Sequence, residues 1–89
     1  MNILYAKKFS KDLDAIRHEP NIKKRVLELI GQIKQADSLS EISGAKKIEE
    51  YSGYFRIRVG DYRFGVKLIE NGLEMIRFLH RKEIYRRFP

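Results

Sequence analysis

Tyr54-Phe55-Arg56-Ile57-Arg58-Val59-Gly60-Asp61-Tyr62-Arg63-Phe64-Gly65-Val66-Lys67-Leu68 is the stretch whose reading decides the fold. Apolar and cationic residues alternate with period two on both sides of Gly60-Asp61, the pattern of two half-buried strands joined by a tight turn. Side chains alternate across a strand, so Phe55, Ile57 and Val59 share one face while Arg56 and Arg58 share the other. The same parity places Tyr62, Phe64 and Val66 inward and Arg63, Gly65 and Lys67 outward. Downstream, Glu70-Asn71-Gly72 contains Asn-Gly, the strongest short hairpin signal, and Leu73 to His80 forms the last strand. Both faces of that strand carry apolar residues. Taking Ile76 and Phe78 as core leaves Met75, Arg77, Leu79 and, by extension, Arg81 on the outer face.

Upstream the period changes. Ile3-Leu4-Tyr5 is too short an apolar run for a helix and reads as an opening strand. From Lys7, the residues Phe9, Leu13 and Ile16 recur at helical spacing with charges between them. Arg17-His18-Glu19-Pro20 breaks that pattern, and proline suits the first turn of a second helix. There Ile22, Val26, Leu29, Ile30 and Ile33 form an apolar stripe. The short break predicts an antiparallel helical hairpin. Ser38-Leu39-Ser40-Glu41 has capping-box spacing within the only linker-like segment, residues 36–43. Lys82 to Phe88 reads as a short terminal helical turn. The order β-α-α-β-β-β predicts an α+β fold in which an antiparallel sheet is covered on one face by the helix pair, residues 1–89 forming one domain.

The composition fits one small core. The chain has 89 residues, of which 43% are apolar and 35% charged. Without cysteine, it has no disulfide framework, thiolate zinc site or cysteine nucleophile. Two histidines 62 positions apart and no clustered carboxylates provide no metal-ligand set. Gly60, Gly65 and Gly72 are turn or strand glycines, not a phosphate loop. No uncharged run is longer than seven residues, far short of a bilayer span.

Charge is the functional signal. Nineteen Lys and Arg against twelve Asp and Glu give +7, and residues 51–89 hold nine of the cations but four of the acids. By parity, Arg56, Arg58, Arg63, Lys67, Arg77 and Arg81 lie on the face away from the helices, with Tyr54 and Tyr85 beside them. Guanidinium groups suit bidentate contacts to phosphate and stacking on bases, so this face predicts a polyanion partner.

Tyr54-Phe55-Arg56-Ile57-Arg58-Val59-Gly60-Asp61-Tyr62-Arg63, followed by Leu79-His80-Arg81-Lys82-Glu83-Ile84-Tyr85, resembles the two most recognisable segments of the RelE/ParE family of bacterial and archaeal toxins. The Lys-Lys-Phe-Ser-Lys-Asp-Leu opening and the Tyr-Arg-Arg-Phe-Pro ending agree with it. The resemblance implies a RelE-like fold and the toxin half of a type II toxin–antitoxin pair, cytoplasmic, neutralised by a RelB-like antitoxin in a hetero-oligomeric complex. RelE-type members are endoribonucleases, mRNA interferases that cut messenger RNA in the ribosomal A site without a cofactor. ParE-type members inhibit DNA gyrase without enzymatic activity, and this is the alternative reading.

Within the RelE-type branch, the positions that match are Arg56, Arg58, Arg63, Arg81 and Tyr85, and catalytic roles are expected of Arg63, Arg81, Tyr85 and, as a candidate base, His80. RNA binding is expected of Arg56 and Arg58 on the matched strand, and of Lys67, Arg77 and Lys82 as further cations of the outer face and the terminal turn. Some members have lysines where this chain has Arg56 and Arg58, and an arginine does not serve as a base. His80 is then the candidate base, because imidazole titrates near neutrality. Its parity with Ile76 and Phe78 is equally that of a packing residue.

Overall fold

A computed structural model describes residues 1–89. Five strands form one sheet: β1 (Asn2–Tyr5), β2 (Ala45–Lys47), β3 (Tyr54–Val59), β4 (Tyr62–Ile69) and β5 (Gly72–His80). Their order is β1-β5-β4-β3-β2, with β1 parallel to β5 and the other neighbours antiparallel. Helices α1 (Lys7–Ala15) and α2 (Pro20–Gln35) cover one face, and α3 (Arg81–Arg87) lies on the other. Pro20 opens α2 as expected, and the Met1 ammonium donates to the Ile33, Lys34 and Ala36 carbonyls at its far end. The capping box at Ser38 and Glu41 starts one 3-10 turn.

The main core lies between the helices and the sheet. Phe9 of α1 packs edge-on against Phe64 and Phe78, with ring centroids 5.6 and 6.5 Å apart. Val26, Ile30 and Ile33 of α2 join Ile57, Val59, Val66, Leu73 and Met75 in the same cluster. The helix-side parity read for β3 and β4 therefore holds. A second, smaller core of Ile48, Leu79, Ile84 and Phe88 seats α3 on the opposite face, with Tyr54 and Ile76 against it.

Three features differ from the sequence reading. The strand β2 falls just beyond the linker-like segment and extends the sheet past β3. In β5 the pairing register shifts between Gly65 and Val66, so that Gly65 faces Arg77 and Val66 faces Met75, leaving Ile76 as the extra residue. An extra residue reverses strand parity on one side of it. Met75 is consequently in the main core and Ile76 on the α3 side, the reverse of the expected assignment. Finally, the terminal turn is a seven-residue helix that begins at Arg81.

Arg77 is 9% exposed and does not reach the open face. Its Nε and Nη2 donate to the Asp12 carboxylate at 2.8 and 3.0 Å, and the same carboxylate accepts the Phe78 backbone N–H at 2.9 Å. β1 ends at Tyr5 opposite Met75, so Asp12 of α1 takes the ladder position that β1 leaves unfilled. Arg77 is thus a structural residue, and its assignment to RNA binding is corrected.

Candidate functional site

The outward face of the sheet's β2–β3–β4 end carries cations in adjacent strands. Lys46 on β2 is directly opposite Arg56 on β3, and Arg58 is directly opposite Arg63 on β4. Like charges in register across a strand pair are destabilising. The ion pairs of the molecule join Arg77 to Asp12 and both Arg86 and Arg87 to Glu83, so none of these four cations is neutralised. Together with Gly44 and Tyr85 they line a cleft of about 180 Å³. Larger open hollows, of about 470 and 580 Å³, surround the C-terminal end of α2 and hold no cation cluster in their walls.

Each side chain is placed by a specific contact. Arg63 Nη1 donates to the Gly60 and Tyr62 carbonyls, both at 2.8 Å, which ties its guanidinium to the hairpin turn. The Arg56 guanidinium carbon lies 4.6 Å from the centre of the Tyr85 ring, while its Nε is buried without an acceptor. A buried donor left unpaired costs about 1–3 kcal/mol. Arg58 is exposed, and its N–H donates to the Gly44 carbonyl at 3.1 Å. Gly44 has φ +85°, and a Cβ there would stand 3.2 Å from the Arg58 Cβ. The loop before β2 can therefore press against Arg58 only with glycine at this position.

Tyr85 is 61% exposed, and its position depends on α3. Beside it, Ile84 and Phe88 are buried in the second core. The Phe88 ring occupies the space above Gly65, where an added Cβ would come within 2.7–2.8 Å of three ring carbons. At the helix start, the Arg81 N–H donates to the Asp61 carbonyl at 2.7 Å. Arg81 is exposed one turn before Tyr85 on the same side of α3, at the i, i+4 spacing. It does not line the cleft but flanks it.

The remaining candidates lie elsewhere. His80 pairs with Tyr62 across β4 and β5, on the helix side of the sheet, with its ring edge-on to Tyr62 at 5.5 Å. Its Nδ1 accepts the Lys82 N–H at 3.2 Å, capping α3. It is separated from the cleft by the sheet, which corrects its assignment as the catalytic base. Lys67 sits opposite Tyr54, with its Nζ 5.3 Å from that ring, four residues along β4 from Arg63. Lys82 is exposed on α3 and lines no part of the cleft. Sequence reasoning missed Lys46 because a three-residue strand is too short for alternation to register.

Tyr62 anchors the other side of the hairpin. It stacks on Phe78 at 5.0 Å and donates to Glu19 at 3.3 Å. Burial, followed by the neighbouring Glu19 carboxylate, raises its phenol above the ordinary value. The Asp12 hydrogen bonds raise the Arg77 guanidinium as well, which keeps it charged.

Comparison with known proteins adds independent findings. A family model described as the ParE toxin of the type II toxin–antitoxin system parDE matches residues 3–85. The chain is 42% identical to toxin RelE3 of Methanocaldococcus jannaschii over 91 aligned positions that take in the whole of both proteins. It superposes with a TM-score of 0.80 and 40% identity on a chain of the RelB–RelE antitoxin–toxin complex from Methanococcus jannaschii, covering 97% of this chain and 99% of that one. The YoeB dimer of Staphylococcus aureus shares the fold at a TM-score of 0.72 and 18% identity, over 90% and 95% of the two chains.

Proposed function

The chain belongs to the RelE/ParE family, the toxin halves of type II toxin–antitoxin pairs, and from that premise we propose that its cationic cleft binds and cuts messenger RNA on the ribosome. Its partner is a cognate RelB-like antitoxin. The observation that carries the reading is the convergence of Lys46, Arg56, Arg58 and Arg63 with Tyr85 on one cleft, with no carboxylate paired to the cations. Such an arrangement is costly in an empty protein and is relieved by a bound polyanion.

The chemistry follows from the residue types. RNA is cut when a 2′-hydroxyl attacks its own phosphodiester, and charge accumulates on the non-bridging oxygens as the phosphorane forms. Arg56, Arg58 and Arg63 supply fixed donors for those oxygens, and Arg63 is already oriented by its two carbonyl contacts. The exposed Tyr85 ring provides a surface on which the nucleobase beside the cut can stack, which aligns the attacking and leaving oxygens. Arg81 approaches the strand from the rim. No group of three or more His, Cys, Asp or Glu comes together as a metal-ligand set, and the reading uses no metal.

The test is to induce the toxin without antitoxin while labelling protein and DNA synthesis separately. Methionine incorporation should fall first, and mRNA fragments ending in the A site should accumulate. If thymidine incorporation falls first while translation continues, gyrase is the target and the cleavage reading is wrong.

A further inference from the structure

We propose that Tyr51 is a second stacking platform for messenger RNA, holding a nucleobase that neighbours the nucleotide in the cleft, an inference that rests on the cleavage reading above and deepens it. Alternate residues of a strand share a face, so Tyr54 is the next outward position along β3 from Arg56. Lys67 lies opposite Tyr54 on β4, with its Nζ 5.3 Å from the ring centre. Beyond Tyr54 stands Tyr51, 48% exposed, its ring centroid 6.2 Å from that of Tyr54 and tilted 73° to it. Leading away from the cleft, the face thus carries an arginine, a tyrosine with a lysine over it, and an exposed tyrosine. Cations for the backbone with aromatic rings for the bases are the elements of a single-strand binding track.

The turn that carries Tyr51 is tied at both ends. The Tyr51 N–H donates to the Ile48 carbonyl at 3.2 Å, and the Tyr54 N–H donates to the Tyr51 carbonyl at 3.1 Å. The Ile48 N–H reaches the Tyr54 carbonyl at 2.9 Å, and the Leu68 N–H reaches the Gly53 carbonyl at 2.8 Å. Ile48 is also buried in the core beneath α3, and Gly53 has φ +83°, which suits glycine where the turn re-enters β3. None of these bonds uses the Tyr51 side chain. Its ring is therefore presented to solvent from a fixed backbone, and a group placed in advance loses little freedom when a base stacks on it. Tyr54 does not offer the same surface, because it is half-buried between Tyr51, Lys67 and the Phe88 ring 5.8 Å away. It supports the platform that Tyr51 presents.

Charge sets the path of the backbone. Lys67 has no carboxylate partner, whereas Glu49 and Glu50 are exposed on the turn just before Tyr51. Phosphates are drawn to Lys67 and repelled by the two carboxylates. The strand therefore leaves the cleft along the β3–β4 ladder with its base turned towards Tyr51. Every base has a π-face, so this contact positions the strand without selecting its sequence.

The experiment uses the full chain on programmed ribosomes under single-turnover conditions, with mRNAs that carry an abasic nucleotide in turn at each position around the cut. Tyr51→Ala should slow cleavage of the ordinary mRNA about 10-fold, the scale of one lost base stack. Tyr51→Leu, which keeps apolar bulk without a ring, should do the same, and Tyr51→Phe should cut as the unaltered protein does. At one position, loss of the base should slow the unaltered protein by a similar factor and slow Tyr51→Ala no further, because both changes remove the same contact. Slowing that multiplies at every abasic position would place Tyr51 against the ribosome instead of the messenger and overturn the proposal. Full activity of Tyr51→Leu would make the ring a packing group, and full activity of Tyr51→Ala with weakened neutralisation by the antitoxin would make it an antitoxin contact; either result overturns the proposal. Failure of the unaltered protein to cut the ordinary mRNA would overturn the cleavage reading itself, a result distinct from the others.

Discussion

Replacing Phe88 with alanine should release α3 from the sheet while leaving the rest of the chain folded. Phe88 is 4% exposed, and its ring fills the hollow above Gly65. Seating α3 buries Ile84 and Phe88, each contributing roughly 1.5–3 kcal/mol, so the substitution removes about half of that apolar anchor. If α3 stayed in place, the void would cost about 3–5 kcal/mol, as Phe→Ala changes in cores do. Detachment is the cheaper response, because the helix has seven residues and its anchor does not belong to the main core. The loss should therefore be local. Hydrogen exchange should show the amides of residues 82–88 losing protection while those of β4 and β5 keep theirs. Melting should shift by a few degrees at most, and ribosomal cleavage should collapse because Tyr85 no longer faces Arg56. Equal loss of protection throughout the sheet would refute this reasoning, since it would show that α3 and the main core unfold as one unit. Unchanged protection of α3 would refute it too.

Gly65→Ala should mimic that loss from the other side, since its Cβ would stand 2.7 Å from the Phe88 ring; cleavage should fall, and pairing it with Phe88→Leu should restore part of it. Arg58→Ala should lower kcat by about 10²-fold with little change in melting temperature, the scale for one lost transition-state contact, and a comparable fall in melting temperature would mean a structural role. Asp12→Ala leaves Arg77 buried without its carboxylate, so urea titration should show a loss of about 3–5 kcal/mol. The phenol of Tyr62 is raised in the folded state, so its contribution is complete below the unfolded value near 10 and is lost as pH climbs through the higher folded value. Denaturation between pH 9 and 11 should therefore show a smaller decline for Tyr62→Phe than for the unaltered chain.

How far the sequence could be read depended on whether each signal was local. β3 and β4 alternate strictly, so the helix-side faces of Ile57, Val59, Phe64 and Val66 were legible, as were Arg56, Arg58 and Arg63 on the other side. β5 was not legible in the same way. Its two faces are both apolar, and the irregularity opposite Gly65 and Val66 depends on pairing with another strand. Arg77 showed the same limit, because its partner Asp12 is 65 positions away and nothing near Arg77 marks it as buried. His80 satisfied the chemistry of a base but not the geometry, since its face is set by pairing with Tyr62. Lys46 carried no signal of its own and acquired one only when β2 placed it against Arg56.

The carboxylate of Asp12 also bears on what can assemble with this protein. A sheet edge with free N–H groups is a template on which any extended chain can add a strand. Where β1 stops, β5 would offer such a template, but the Phe78 N–H is already occupied and the Arg77 side chain lies across the gap. Strand addition by a partner is thereby confined to the outer margins of β1 and β2, and β2 presents Lys46 and Lys47. At the β2 margin, charge favours an acidic extended segment over a basic one. One side chain on the first helix thus restricts which chains can join the sheet and where.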